Sequence, residues 1–171
     1  MIIINYKNKM ASGQYTRTHA IGDLSDYPVF EPQFTPAEML AMGVFEGLYL
    51  NSCQDEYPSA WFENARISDV ADSQLNHFGV KSRTSLSHWR EKGWITPHDP
   101  RGWFEWYCRF WMGRRTDIDA QQIYRWVNGG NRGAHRQIVK NGGGDRTKRL
   151  AQRQTLLQWS RDPFPDIDAE R

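Results

Sequence analysis

Cysteine, long apolar runs and net charge are all scarce in this sequence of 171 residues. Its two cysteines, Cys53 and Cys108, are too few for a small secreted disulfide scaffold and point to a reducing, intracellular setting. The sequence leaves a single bridge between them open. No apolar run approaches the roughly 18–20 residues of a membrane span. The opening Met-Ile-Ile-Ile-Asn-Tyr has neither a basic n-region nor a small-residue cleavage site. These absences lead us to expect a soluble, cytoplasmic protein with no membrane partner.

Motifs that carry familiar chemistry are missing as well. Gly142-Gly143-Gly144-Asp145-Arg146-Thr147-Lys148 lacks the Gly-Lys-Ser/Thr ending of a phosphate loop, which disfavours nucleotide hydrolysis of that type. There is no Cys-x-x-Cys, no His-Glu-x-x-His and no His-x-Glu with a Cys pair, against zinc proteases and zinc deaminases. No Gly-x-Ser-x-Gly elbow is present. His19, His77, His88, His98 and His135 lie too far apart for a local ligand pair, and no metal or cofactor is expected. A site assembled from distant residues stays open.

Aromatics are plentiful: 13% of the chain, including eight Trp. With 39% hydrophobic and 25% charged residues, the composition is that of a folded domain rather than a solvated chain. The length suits one domain. The near-zero net charge of +2 hides a polarity. Residues 1–80 carry 4 Lys/Arg against 10 Asp/Glu, a net −6, whereas residues 81–153 carry 16 against 6, a net +10.

The predicted fold is mainly α: a single compact helical domain over residues 1–160 with a small N-terminal β-hairpin. Strands are expected at 2–6 and 14–21, then an irregular arm to residue 33 containing Pro28 and Pro32. Core helices occupy 34–113, a basic helical segment 114–160, and a frayed tail 161–171. Thr35-Pro36-Ala37-Glu38 reads as a capping box with Pro at the first helical position, stapled by Phe34 and Met39. It opens a helix predicted over 36–50. Gly43 and Gly47 in it offer a place for another element to pack close. Short helices follow at 58–65 and 85–92, with Ser85 as a cap. The strongest helix runs from Asp99-Pro100 to Met112, with Asp99 as its N-cap, and others are predicted at 117–127, 132–140 and 146–160.

On a helical wheel Trp103, Phe104, Trp106, Tyr107, Phe110 and Trp111 share one arc, opposite Arg101, Glu105 and Arg109. The rings are read as core and the charges as a solvent face with Glu105 pairing to either Arg. A sharper reading makes one or two Trp at the edge of the arc a stacking platform for a base. The run from Asp99 to Arg109 (Asp-Pro-Arg-Gly-Trp-Phe-Glu-Trp-Tyr-Cys-Arg), closing with Gly113-Arg114-Arg115, resembles the signature of an uncharacterised family of small intracellular proteins of bacteria, phages and fungi. Ser87-His88-Trp89-Arg90-Glu91-Lys92-Gly93-Trp94 looks like part of the same signature. The resemblance covers about residues 34–160 and implies no activity.

Positive charge after Gly113 carries the leading functional expectation. Arg114, Arg115, Arg125, Arg132, Arg136, Lys140, Arg146, Lys148, Arg149 and Arg153 meet only three acidic residues before position 154. Arginine forks onto phosphate and stacks on rings, so these ten residues are candidates for binding DNA or RNA, with a role in nucleic-acid processing or modification. A helix-turn-helix formed by 117–127 and 132–140 is compatible with the turn between them. The bland alternative is a solvated basic face, or one paired with the acidic N-terminal half, which itself could meet a protein partner. A third reading is a small-molecule enzyme with its pocket between the 100–112 helix and region 76–98. His88, His98, Asp99 and Arg101 are its candidate acid–base and anion-binding groups, and Cys108 reads as inert packing.

Overall fold

A computed structural model describes residues 1–8, 10–82, 86–129 and 131–166. The chain opens with an antiparallel hairpin, β1 (Ile2–Lys7) and β2 (Ser12–Arg17), in register from Ile2 opposite Arg17 to Lys7 opposite Ser12. Its turn is held by Asn8, whose Oδ1 accepts from the Met10 and Ala11 amides. Six α-helices follow: α1 (Pro36–Met42), α2 (Leu86–Glu91), α3 (Trp103–Trp111), α4 (Asp119–Asn128), α5 (Arg132–Asn141) and α6 (Leu150–Gln158). Three short 3-10 turns lie between α1 and α2.

The expected mainly-α class does not hold. Of the described residues, 38% are helical and 9% extended, so the fold is mixed, with a large share of irregular chain. The region after α1 shows why. The capping box forms as expected, Glu38 N–H donating to Thr35 Oγ1 and Thr35 N–H to Glu38 Oε2. The helix then stops at Met42 instead of reaching residue 50. Gly43 takes φ +81° and the carbonyls of Leu40, Gly43, Glu46 and Gly47 accept from the amides of Arg66, His77, Asp72 and Ser68. Loop 66–77 therefore supplies the donors that continued helix would have supplied, and helical periodicity in 43–50 is overridden by tertiary pairing. Gly43 and Gly47 are indeed points of close approach: a Cβ on Gly43 would sit 1.9 Å from the Leu75 carbonyl oxygen.

α3 is the centre of the core. Trp103, Phe104, Trp106, Tyr107 and Phe110 are all buried. Phe30, from the irregular arm, inserts its ring among Trp103, Trp106, Tyr107, Phe110 and Trp126 at centroid distances of 5.0–6.3 Å. The expected solvent face of this helix is absent. Glu105 is 0% exposed and Arg109 1%, because the charges meet one another and partners from elsewhere rather than water. Arg101 donates to Glu105 from both its backbone N–H and Nη1. Arg109 forks onto Glu56 at 2.7 and 3.1 Å and reaches Asp99 at 3.0 Å. The hairpin closes over this network, Tyr6 lying 4.3 Å from the Arg109 guanidinium.

Asp99 likewise departs from its expected role. The residue at the N-cap of α3 is Gly102, and Asp99 accepts from Arg109 and twice from Arg114. α5 has α6 as its main packing partner, unlike the mutually packed pair of a helix-turn-helix. Residues 161–166, expected to fray, are held down. Pro163 accepts from Arg153, and the Phe164 ring lies against Phe78 and under Arg146. The rest of the tail, like the expected Ser85 cap, lies outside the described residues. Cys53 and Cys108 are buried free thiols.

Candidate functional site: an aromatic cleft beside a basic helix

A cleft of about 610 Å³ opens between the start of α3 and α2, within the usual size range of ligand pockets. Its floor is the start of α3, Gly102, Trp103 and Phe104, with the end of α6, Gln158 and Trp159. One wall is Phe45, Leu48 and Tyr49, and the facing wall is Leu86, Trp89 and Trp94. Arg125 and Gly129 at the end of α4 close one side.

The rings are ordered by one another. Trp159 stacks on Trp89 at 6.1 Å and 25° and leans on Trp103 at 5.0 Å. Trp94 stands edge-on to Trp89 at 5.5 Å. On the other wall Phe45, Tyr49 and Phe104 form a triangle with centroid distances of 4.4–4.9 Å. Trp94 is 43% exposed, so this apolar surface faces the opening.

Polar groups in the cleft are mainly donors. The Nε1–H of Trp103 and Nε2–H of Gln158 are sealed within the packing and find no acceptor among the described residues. Arg125 donates to the Trp94 carbonyl and to Gln122 and stacks 5.9 Å from Trp89. It meets no carboxylate among the described residues, and desolvation by burial pushes its pKa below the ordinary arginine value. Arg101 also lines the cleft, but its guanidinium is engaged by Glu105, Asn8 and Ser52. No Asp, Glu, His, Lys or Cys is among the described lining residues.

The sequence-predicted acid–base groups do not converge here. Asp99 is 1% exposed and sealed among arginines. His98 is half-exposed, 3.9 Å from Asp117. His88 stands edge-on behind Trp94 at 5.9 Å. Of the four, Arg101 alone lines the cleft. Among the described residues no group of three His, Cys, Asp or Glu side chains is placed to hold a metal ion.

The ten basic candidates divide. Arg114 is buried against Asp99. Arg115 forks onto Asp26 at 2.8 and 3.0 Å and lies 3.9 Å from the Phe110 ring. Arg153 is buried and donates to the carbonyls of Asp145, Lys148 and Pro163. Arg125 belongs to the cleft. The other six, Arg132, Arg136, Lys140, Arg146, Lys148 and Arg149, are exposed, and among the described residues only Lys148 of these has a carboxylate neighbour, Asp145 at 3.8 Å.

Trp89 and Trp94 fall in the 76–98 region that the sequence reading set opposite the 100–112 helix, whereas Trp159 and Gln158 carried no advance signal. Compared with protein-family models, with curated proteins and with solved structures, the chain matches none of them.

Proposed function

We propose that the cleft is a binding site for a flat, aromatic or conjugated ligand that carries oxygen or ring-nitrogen acceptors. The observation that carries this is a cleft lined by rings with the Arg125 guanidinium, which meets no carboxylate among the described residues, at its side. Such a ligand would lay its ring against the aromatic side chains and accept from Arg125. Rings on both walls supply stacking surface. With no acid or base among the described lining residues, binding is favoured over acid–base catalysis at this site. A reducing, cytoplasmic setting is in keeping with the two free buried thiols. A second reading, phosphate binding by the exposed cations of 132–149, is favoured by their exposure and by Lys148 alone among them having a carboxylate neighbour among the described residues.

Saturation-transfer NMR with 1-naphthoate, a flat aromatic carboxylate, tests the cleft directly. Ring protons of the probe are expected to receive saturation from the wild type. The effect is expected to vanish in Leu48→Glu, a half-exposed position on the wall, with the melting temperature kept. Equal transfer in both proteins, or none in the wild type at millimolar probe, would overturn the reading.

A further inference from the structure

We infer that the cleft and the exposed face of α5 form one site for single-stranded nucleic acid, a base entering the cleft and its neighbouring phosphates lying along α5. This rests on the cleft being a ligand site and names the ligand class. Three observations meet. First, α5 begins three residues after Gly129, a cleft residue, and Arg132 Nη2 donates to Asn128 Oδ1 at the end of α4, next to Gly129. The first cation of α5 is thus tied to the rim.

Second, Arg132, Arg136 and Lys140 recur every four residues, which places them on one face of the helix about 6 Å apart along its axis. All three are exposed. Past the helix end Arg149 is exposed as well, its Cγ within ordinary contact distance of the Gly142 position. Among the described residues no carboxylate pairs with these four cations.

Third, the cleft suits an unstacked base. The Arg125 guanidinium at its side suits a base edge rich in carbonyls, as in thymine or uracil. The exocyclic amino group of adenine or cytosine would find no carboxylate among the described lining residues. A paired base presents neither face nor carbonyl edge to such a cleft, so a duplex is a poor ligand and a single strand a good one. Sequence tolerance by stacking combined with a cationic track is the usual physical form of single-strand binding.

The test is a titration of the full chain with fluorescein-labelled dT8, read by anisotropy and by quenching of Trp emission, over a series of salt concentrations. Binding with Trp quenching is expected, with log K falling against log[salt] at a slope of about −3 for four contacted phosphates. The double variant Arg136→Glu/Lys140→Glu, at exposed positions, is expected to lose at least about tenfold in affinity while keeping its 1-naphthoate signal. Trp94→Ala is expected to lose about tenfold from the missing stacking surface. If Trp94→Ala does not fold, competition stands in for it: excess 1-naphthoate should displace dT8 from the wild type.

Binding of dT8 without Trp quenching and without competition by 1-naphthoate would overturn the inference. Equal or tighter binding of the dT8·dA8 duplex would do the same. Naphthoate binding with no dT8 binding at low salt would also overturn it, leaving the cleft reading intact. If neither ligand bound, both would fall.

Discussion

At the scale of single residues, the behaviour of charge depends on who else is buried. Burial works most strongly against the Arg109 cation, yet its hydrogen bonds to Glu56 and the surrounding anionic groups together outweigh it and hold the guanidinium protonated. Removing one partner of such a network leaves an uncompensated buried charge. Arg109→Met is therefore expected to lower unfolding free energy by about 3–5 kcal/mol, read by urea denaturation. The surface pair differs. Hydrogen bonding from Arg115 holds the Asp26 carboxyl below its ordinary value. Its stabilising share is present above about pH 4, the range of a free carboxyl, and is lost as pH falls through the lowered native value. Because Asp26 is a third exposed, screening keeps that share under about 1 kcal/mol. Asp26→Asn should thus lower stability at pH 7 and leave it unchanged at pH 2.

The thiols offer a third residue-scale check. Burial raises the Cys53 thiol to about 11 and that of Cys108 well above its ordinary value. Since the thiolate is the nucleophile, neither should react with iodoacetamide at pH 8 in the folded protein, and both should react in urea. Rapid native alkylation would contradict the packing described for them.

At the scale of elements, backbone geometry at two glycines separates tolerance from necessity. A Cβ on Gly43 meets the Leu75 oxygen at 1.9 Å with φ at +81°, whereas one on Gly133, within α5, meets nothing within 4 Å. Gly43→Ala is expected to destabilise by more than about 1 kcal/mol. Gly133→Ala should stabilise by up to about 1 kcal/mol through helix propensity. Paired thermal melts check both.

These elements also show what the sequence made legible. The capping box at Thr35, the hairpin, the aromatic helix and the helices beyond residue 117 follow from local signals, each within a few residues. The end of α1 does not, because its carbonyls are taken by amides twenty or more positions away. The solvent face assigned to Arg101, Glu105 and Arg109 fails for a related reason. Periodicity sorts residues into faces, but it is blind to Glu56 and Asp99 arriving to pair with the polar one. Trp103 was legible as core; its place in the lining of a cleft was not.

At the scale of the whole molecule, the −6/+10 polarity resolves into two uses of arginine. Some of it links the halves internally, as Arg109 with Glu56 and Arg115 with Asp26 do. The remainder stays on the outside of α5 and its following loop, next to the mouth of an aromatic cleft. The basic stretch was visible in the sequence; which of its members are buried, and that a cleft adjoins it, depend on long-range packing.

The central claim is that the cleft, with its aromatic lining and Arg125, is where a ligand ring sits. The most direct measurement is the set of indole N–H signals in a 15N–1H correlation spectrum during titration with 1-naphthoate. Trp103 Nε1–H lacks an acceptor, while Trp106 Nε1–H donates to Asp119 at 2.8 Å. The account expects the Trp103, Trp89 and Trp94 signals to shift in saturable fashion while Trp106 and the distant Trp61 stay still. A silent Trp103 with Trp89 and Trp94 also unmoved, or shifts confined to Trp61 and Trp106, would contradict it.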